Sequence, residues 1–385
     1  MFSETLIDEF RDPGGRASEF TSNTDMQLNT WTSGNTFPYY GVGYLFVSYI
    51  HERIGPEAFT AWQTSPGRSF YGLDAALEEF GFEFSGMDLW EDWMVSVTLL
   101  GMDDIPEIFG YRDEEMFVEP STKIMVNKFP KEYEDTVKQF AFDTYDIRSS
   151  EPVTVNFTGT TKTAVFNALL PASGEYYWYS GRANESTMSI TREFDLSAVD
   201  AATLNFSSYY KIEKGWDFGY VLISTDGGET WEGLGTETME SKAGEDDPAD
   251  SAYTEYFFTG NTKEWVENNV DLSAYTGQVV QIRFMFVTDL VYTMAGLAID
   301  NIAIPEIEFY DDCESGDNGW VAEGFNLVTA YEAQEFVVQL VTFDDTGVVV
   351  TELELADDNS GSVVIPMSED YRKAYLIVAA SNDLI

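Results

Sequence analysis

The sequence predicts a multidomain α + β protein: an N-terminal helical subdomain, then an antiparallel β jelly roll, then a small C-terminal β-sandwich-like module. Apolar residues recur at helical spacing between residues 37 and 100 and at strand alternation beyond about 120. Turns rich in Gly, Asp and Asn separate the later apolar runs, with no helical pattern between them. The chain has 385 residues, 44% of them hydrophobic and 15% aromatic, which is enough for several cores despite a net charge of −48. The expected divisions are 1–110 for the helical part, 111–150 for a linker and first strands, 151–307 for the jelly roll, and 308–385 for the small β module.

The helices come first. Val42, Leu45, Phe46, Tyr49 and Ile50 fall on one face, Gly55 is a stop, and Pro56 suits the first turn of the next helix. Leu73, Ala76, Leu77 and Phe80 repeat the stripe up to Gly81, and Leu89, Trp93, Val97 and Leu100 give another, so at least four helices are expected. Among the strands, Leu204, Phe206, Ser208, Tyr210 and Ile212 share one face, as do Val280, Ile282, Phe284 and Phe286. Residues 336–343, 348–355, 363–365 and 374–378 read as four further strands, with Asp344 to Gly347 as a hairpin turn.

Charge and composition exclude several functions. Lys and Arg number 20 against 68 Asp and Glu, and no basic cluster breaks the acidic field, so nucleic acid and anionic lipid are disfavoured partners. Such a field suits high salt or the binding of divalent cations. A lone Cys313 rules out an internal disulfide, and one Cys with one His cannot build a Cys/His zinc site. Residues 1–10 are acidic and amphipathic, and no run approaches the ~18 apolar residues of a membrane helix, so neither a signal peptide nor a membrane span is expected in this sequence.

Motifs narrow the chemistry further. His51-Glu52-Arg53 starts like HExxH but has no second His one turn later, so the two-imidazole face of that motif cannot form. Asp345-Thr346-Gly347 occurs once, whereas aspartic protease chemistry needs two such carboxylates; a turn is the better reading. Residues 224–231 (STDGGETW) resemble an Asp-box hairpin, a structural device in which Asp and Gly close the turn and Trp packs beneath it. Residues 245–250 read as an acidic solvated loop. Calcium is a hard cation that takes six to eight oxygens. Asn184, Glu185, Asp217 and Asp300, each beside a strand end or turn, are its candidate ligands. Tyr176, Tyr177, Trp178 and Tyr179 would suit a ligand-facing surface, although aromatics in a sandwich are usually core.

A family resemblance adds to this reading. Residues 179–181 (YSG), 189–196 (SITREFDL), 202–206 (ATLNF), 220–231, 270–277 (VDLSAYTG), 283–284 and 298–302 (AIDNI) together resemble, in order, the VEG domain of immune inhibitor A-type metallopeptidases. That domain is a jelly roll related in style to MAM domains. Residues 25–31 (DMQLNTW), 40–55 and 89–99 resemble the helical half that follows the zinc motif in such enzymes, and residues 320–380 resemble their closing β module.

The resemblance implies the C-terminal portion of a secreted, extracellular zinc metallopeptidase acting on protein or peptide substrates. It also implies that the zinc-binding His pair and the catalytic Glu lie upstream, and that the third zinc ligand falls just before Met1. Zinc is therefore expected only in the full-length enzyme, and this chain alone is expected to be inactive. Members of the group often carry a His where this sequence has Tyr39, so Tyr39 and Tyr40 are the implied substrate-facing residues. The rival reading is a non-catalytic surface or polymer-recognition protein built on the jelly roll. A sialidase-like reading would need further Asp boxes or an arginine cluster, and the sequence offers neither.

Overall fold

A computed structural model describes residues 15–28, 35–65, 69–111, 122–242, 252–290 and 292–382. The expectations made for residues 1–10 and 245–250 fall outside these. Contacts divide the chain into two compact units, residues 162–333 forming the second and the remainder, apart from short pieces, forming the first.

The first unit opens with helices. They are α1 (Arg16–Thr21), α2 (Phe37–Thr64), α3 (Ser69–Glu79) and α4 (Gly86–Thr98). The stripe from Val42 to Ile50 is buried, as are Leu73, Ala76, Leu77, Leu89, Trp93, Val97 and Leu100; Phe80 is 42% exposed, at the frayed end of its helix. Gly55 breaks the helical path of α2 with φ 75°, a value that glycine adopts at no steric cost, and Pro56 starts the next turns. Gly41 lets α1 and α2 meet, because a Cβ there would lie 2.1 Å from the Arg16 carbonyl oxygen. Helix α4 starts in a capping box: Ser85 Oγ accepts from Asp88 N, and Asp88 Oδ2 accepts from Ser85 N.

Arg53 ties down the segment after α4, its guanidinium donating to the carbonyls of Glu107, Ile108 and Gly110. Tyr111 adds a second tie. Its hydroxyl accepts from Trp93 Nε1 and donates to the Leu45 carbonyl, both at 3.0 Å.

Strands β1 (Ile124–Val126), β2 (Ala141–Arg148) and β3 (Val153–Thr158) follow in the same unit. The chain then builds all of the second unit before returning. That unit holds β4 (Lys162–Ala164), β5 (Tyr177–Tyr179), β6 (Thr187–Asp195), β7 (Thr203–Lys211) and β8 (Phe218–Ser224). It continues through β9 (Glu232–Leu234), β10 (Glu240–Ser241), β11 (Tyr256–Phe257), β12 (Val266–Asp271) and β13 (Val279–Val287). It ends with β14 (Gly296–Ile304), β15 (Phe309–Asp311), β16 (Val321–Glu323), β17 (Asn326–Val328) and β18 (Tyr331–Ala333). Strands β19 (Phe336–Asp344), β20 (Gly347–Glu352), β21 (Ser360–Ile365) and β22 (Lys373–Ala380) complete the first unit.

The first unit's main sheet runs β1-β2-β22-β19-β20, and a β3–β21 ribbon supplies Val153 and Ile365 to a core shared with Ile147 and Leu340. Its helices pack on this sheet: Phe20 and Trp93 both contact Phe142 of β2, and the Thr98 and Thr144 hydroxyls are hydrogen-bonded. The linear reading separated residues 111–150 from 308–385, whereas β2 and β22 are adjacent strands of one sheet. Antiparallel pairing joins strands regardless of their distance in sequence, so the contact division falls at 161/162 and 333/334.

The second unit is a jelly-roll-like sandwich. One sheet runs β12-β7-β14-β5-β17, with β15 also paired to β14, and the other runs β16-β6-β13-β8-β9. Leu204, Phe206, Tyr210 and Ile212 of β7 and its extension face Val280, Ile282, Phe284 and Phe286 of β13 across one core, as alternation predicts. Tyr177, Trp178 and Tyr179 are buried core residues. The expected fold class, helices followed by antiparallel β domains, is the observed one.

Candidate metal centre

The site begins with a tight turn between β7 and β8. The Glu213 carbonyl accepts from the N–H groups of Trp216 and Asp217, and Gly215 carries the positive φ that the turn requires, 79°. Buried Thr259 braces it: its hydroxyl accepts from Gly215 N at 2.9 Å and lies 3.2 Å from the Glu213 carbonyl and 3.1 Å from that of Asp217 as donor. The turn thus places two carboxylates four residues apart beside the end of β13.

Asp289, two residues past β13, completes the group. Its N–H donates to Asp217 Oδ1 at 2.9 Å, and its carbonyl accepts from Glu185 N. Thr288 holds the neighbouring loop, its hydroxyl donating to the Ala183 carbonyl and accepting from Ser186 N. Glu213, Asp217 and Asp289 each offer one carboxylate oxygen, and these lie within 4.8 Å of one another.

Electrostatics set the character of this cluster. Asp217 is fully buried. Burial, reinforced by the charges of Asp289 and Glu213 and opposed by the Asp289 N–H, pushes its carboxyl up to about 7. Glu213 is raised as well, by burial first and Asp289 second. Asp217 Oδ2 is buried and has no hydrogen-bond partner among the described residues. The nearest lysine in sequence, Lys214, pairs with Glu240 at 3.1 Å. A buried carboxylate oxygen left without a donor among other carboxylates is costly unless a proton or a cation occupies the gap.

Of the residues singled out from the sequence, Asp217 is in this cluster. Asn184 and Glu185 sit in the adjoining loop, where Asn184 Oδ1 accepts from Thr293 Oγ1 and Glu185, at φ 50°, donates its N–H to Asp289. Asp300 lies apart from the cluster. Its Oδ2 accepts from Ala172 N and Ser173 N and its Oδ1 from Asn301 N, so it pins a loop with its oxygens already engaged. Glu213 and Asp289 went unnoticed in the sequence. The E-x-x-x-D spacing around Gly215 was a readable signal for Glu213, whereas Asp289 needed the tertiary register of β13 against the turn.

The helical candidates are placed differently. Tyr39 is buried in α2, and the Arg16 guanidinium stacks over the half-buried Tyr40 ring, 4.6 Å from its centroid. Adjacent helical positions diverge by about 100°, so the two rings cannot line one surface of the helix. The donors for zinc do not fit: His51, the sole His, is in the first unit with its ring edge-on to Phe59, and Cys313, the sole Cys, is buried in the second with its thiol pushed far up.

Comparison with known families matches residues 136–330, half of the chain, to the one described as "Immune inhibitor A-like, MAM domain". Among curated proteins, the chain is 33% identical over 159 residues to the pre-pro-metalloprotease PrtV of Vibrio cholerae, covering 40% of this chain and 16% of that protein. It is 27% identical over 217 residues to immune inhibitor A of Bacillus thuringiensis subsp. alesti, covering 54% and 29%. Bacillopeptidase F of Bacillus subtilis is 26% identical over 126 residues, covering 32% and 7%. In each case the matched stretch is a minor part of the relative's own length.

Proposed function

The chain belongs to the immune inhibitor A-like family, and from that premise we propose that it is the C-terminal portion of a secreted zinc metallopeptidase whose MAM domain holds calcium. Two of the relatives are named as a metalloprotease and an immune inhibitor A, which supports the peptidase reading. Extracellular proteins are the proposed substrates. No helix among the described residues is long and apolar enough to cross a membrane.

Peptide hydrolysis at zinc requires a metal that polarises the carbonyl and activates water, and a general base that moves the proton. This chain's His and Cys do not form such a set, so the proposal places catalysis in residues outside this sequence. Purified alone and supplied with zinc, the chain is expected to leave casein intact; cleavage would overturn that placement.

The chain's own proposed contribution is the calcium centre at Glu213, Asp217 and Asp289. The observation that carries it is Asp217 Oδ2, a buried oxygen without a donor beside two further carboxylates. Oxygen donors on short turns suit a hard cation, and their combined charge favours a divalent one. Bound there, calcium would offset two of the cluster's three negative charges and hold the 213–217 turn to residues 288–289. Thermal unfolding of chelator-stripped protein tests this: calcium is expected to raise the midpoint of the second unit, and an unchanged midpoint would refute the site. A recognition role for the same domain is the second reading, favoured by the aromatic cleft described next.

A further inference from the structure

The β16-β6-β13-β8-β9 sheet is apolar on both faces, although among the described strands only the short β11 packs on its outer face. All seven residues of β8 are buried. Val221 and Ile223 point into the sandwich core, while Phe218, Tyr220 and Leu222 join Met285 and Phe257 in a separate cluster on the opposite face. An antiparallel sheet with one solvated face normally alternates apolar and polar residues. Here the outer face is only partly roofed, and a cleft of about 510 Å³ remains over it, walled by Trp216, Trp231 and Tyr253.

One wall is held in place, and the other two are open to solvent. Trp231 is held from behind by the Asp box, its Nε1 donating to the Gly228 carbonyl, and from the front by the Arg283 guanidinium, 4.1 Å from its ring centroid. Tyr253 donates its backbone N–H to the Tyr220 hydroxyl and sets its ring edge-on to Tyr220, and it is 61% exposed; Trp216 is 53% exposed. Half-exposed aromatic rings over an apolar floor make a stacking platform.

Charge selects the occupant. Arg283, in the middle of β13 with its Nε donating to Thr191 Oγ1, lines one part of the cleft, and Asp289, two residues past the strand, lines another. An anionic polymer would meet Asp289 and its acidic neighbours, and a cationic one would meet Arg283, so the complementary ligand is uncharged along its length and offers both donors and acceptors. An extended peptide is disfavoured by the backbone. β13 is paired on both sides, with β6 and β8, so the floor has no free main-chain groups to satisfy a peptide's amides. A sugar ring carries its hydroxyls at its rim and an apolar C–H face for stacking. We propose that this cleft binds a neutral glycan chain, with Trp216 and Tyr253 as stacking residues and Arg283 and Asp289 as hydroxyl partners. From Arg283 to Asp289 is roughly 20 Å along a strand, the span of about four sugar rings.

The cleft shares Asp289 with the proposed calcium centre but does not need the ion, and absence of calcium binding would leave this proposal standing. The test is calorimetric and tryptophan-fluorescence titration of the folded chain with neutral cello-, xylo-, manno- and N-acetylchito-oligosaccharides of about four rings. At least one series is expected to bind, with affinity lowered about tenfold or more by Trp216→Ala or Tyr253→Ala and abolished by both together. Both side chains are exposed, so the variants are expected to keep the wild-type melting temperature; Trp216→Leu, which removes the ring and keeps bulk, serves if Trp216→Ala does not fold. No binding by any neutral series would overturn the proposal, as would unchanged binding by the double variant. Tighter binding of a sulfated glycan or of an extended peptide would overturn it equally.

Discussion

Two aspartates flank strand β8, and their surroundings are opposite. Asp226, just beyond it, is exposed and fully served: Ser224 Oγ and Thr230 N donate to Oδ1, and Thr230 Oγ1 donates to Oδ2. The Thr230 hydroxyl and amide, with Ser224, hold that carboxyl down at about 2. Asp217, just before the strand, is buried, has one N–H on Oδ1 and nothing on Oδ2, and is raised to about 7. The first satisfies itself within an eight-residue turn and is a structural device. The second has an oxygen that no described residue serves. Asp300 sharpens the contrast, since it is equally buried yet takes three backbone N–H groups, and it is lifted by burial only to about 6. Burial does not distinguish the two carboxylates; the missing donor does.

That contrast can be broken by substitution. The largest expected effect is calcium itself, which at a hundredfold excess over Kd would stabilise the native state by about 2.7 kcal/mol and raise Tm by roughly 5–10 °C. Asp217→Asn is expected to abolish this gain while raising the calcium-free midpoint at pH 8, because it removes a buried charge. Next, Asp300→Asn should lower stability by about 1–3 kcal/mol, since an amide cannot accept all three N–H bonds. Its calcium response should stay intact; a lost response would mean that Asp300 belongs to the metal site after all.

The third effect is on pH. Asp217 has a folded pKa of about 7, above its ordinary value of 3.8. The native state therefore binds more protons than the unfolded chain between about pH 4 and 7, and calcium-free stability falls as pH rises through that window. Calcium competes with that proton, so its affinity should rise up to about tenfold per pH unit until near pH 7 and level off above. Isothermal titrations at pH 5.5, 6.5 and 8 check the slope, and a flat profile would detach Asp217 from the ion. Smallest is Ser224→Ala. Ser224 Oγ donates to Asp226 and accepts from Gly228 N, so the change should cost about 1 kcal/mol, equally with and without calcium.

Local pattern carried much of this fold. The helical stripes are buried where their spacing put them, and the alternating faces of β7 and β13 meet across one core, because a period of 3.6 or 2 is set by the backbone itself. The Asp box was readable for the same reason, since all its hydrogen bonds lie within residues 224–231. What the pattern could not carry was long-range. Pairing of β2 with β22 joins residues more than two hundred positions apart, and the acidic cluster depends on Asp289 arriving beside a turn over seventy residues earlier. Asn184, Glu185 and Asp217 are legible as turn residues that carry oxygen donors. The register of β13 brings Asp289 to the Glu213–Asp217 turn, and the backbone bonds of Asp300 tie it to a different loop.

The most direct measurement is calorimetric titration of calcium into the chelator-stripped chain, alongside Asp217→Asn and Asp300→Asn. One saturable site per chain in the wild type and in Asp300→Asn, lost in Asp217→Asn, is the result this account predicts. An absent site, or one that survives in Asp217→Asn, would contradict it.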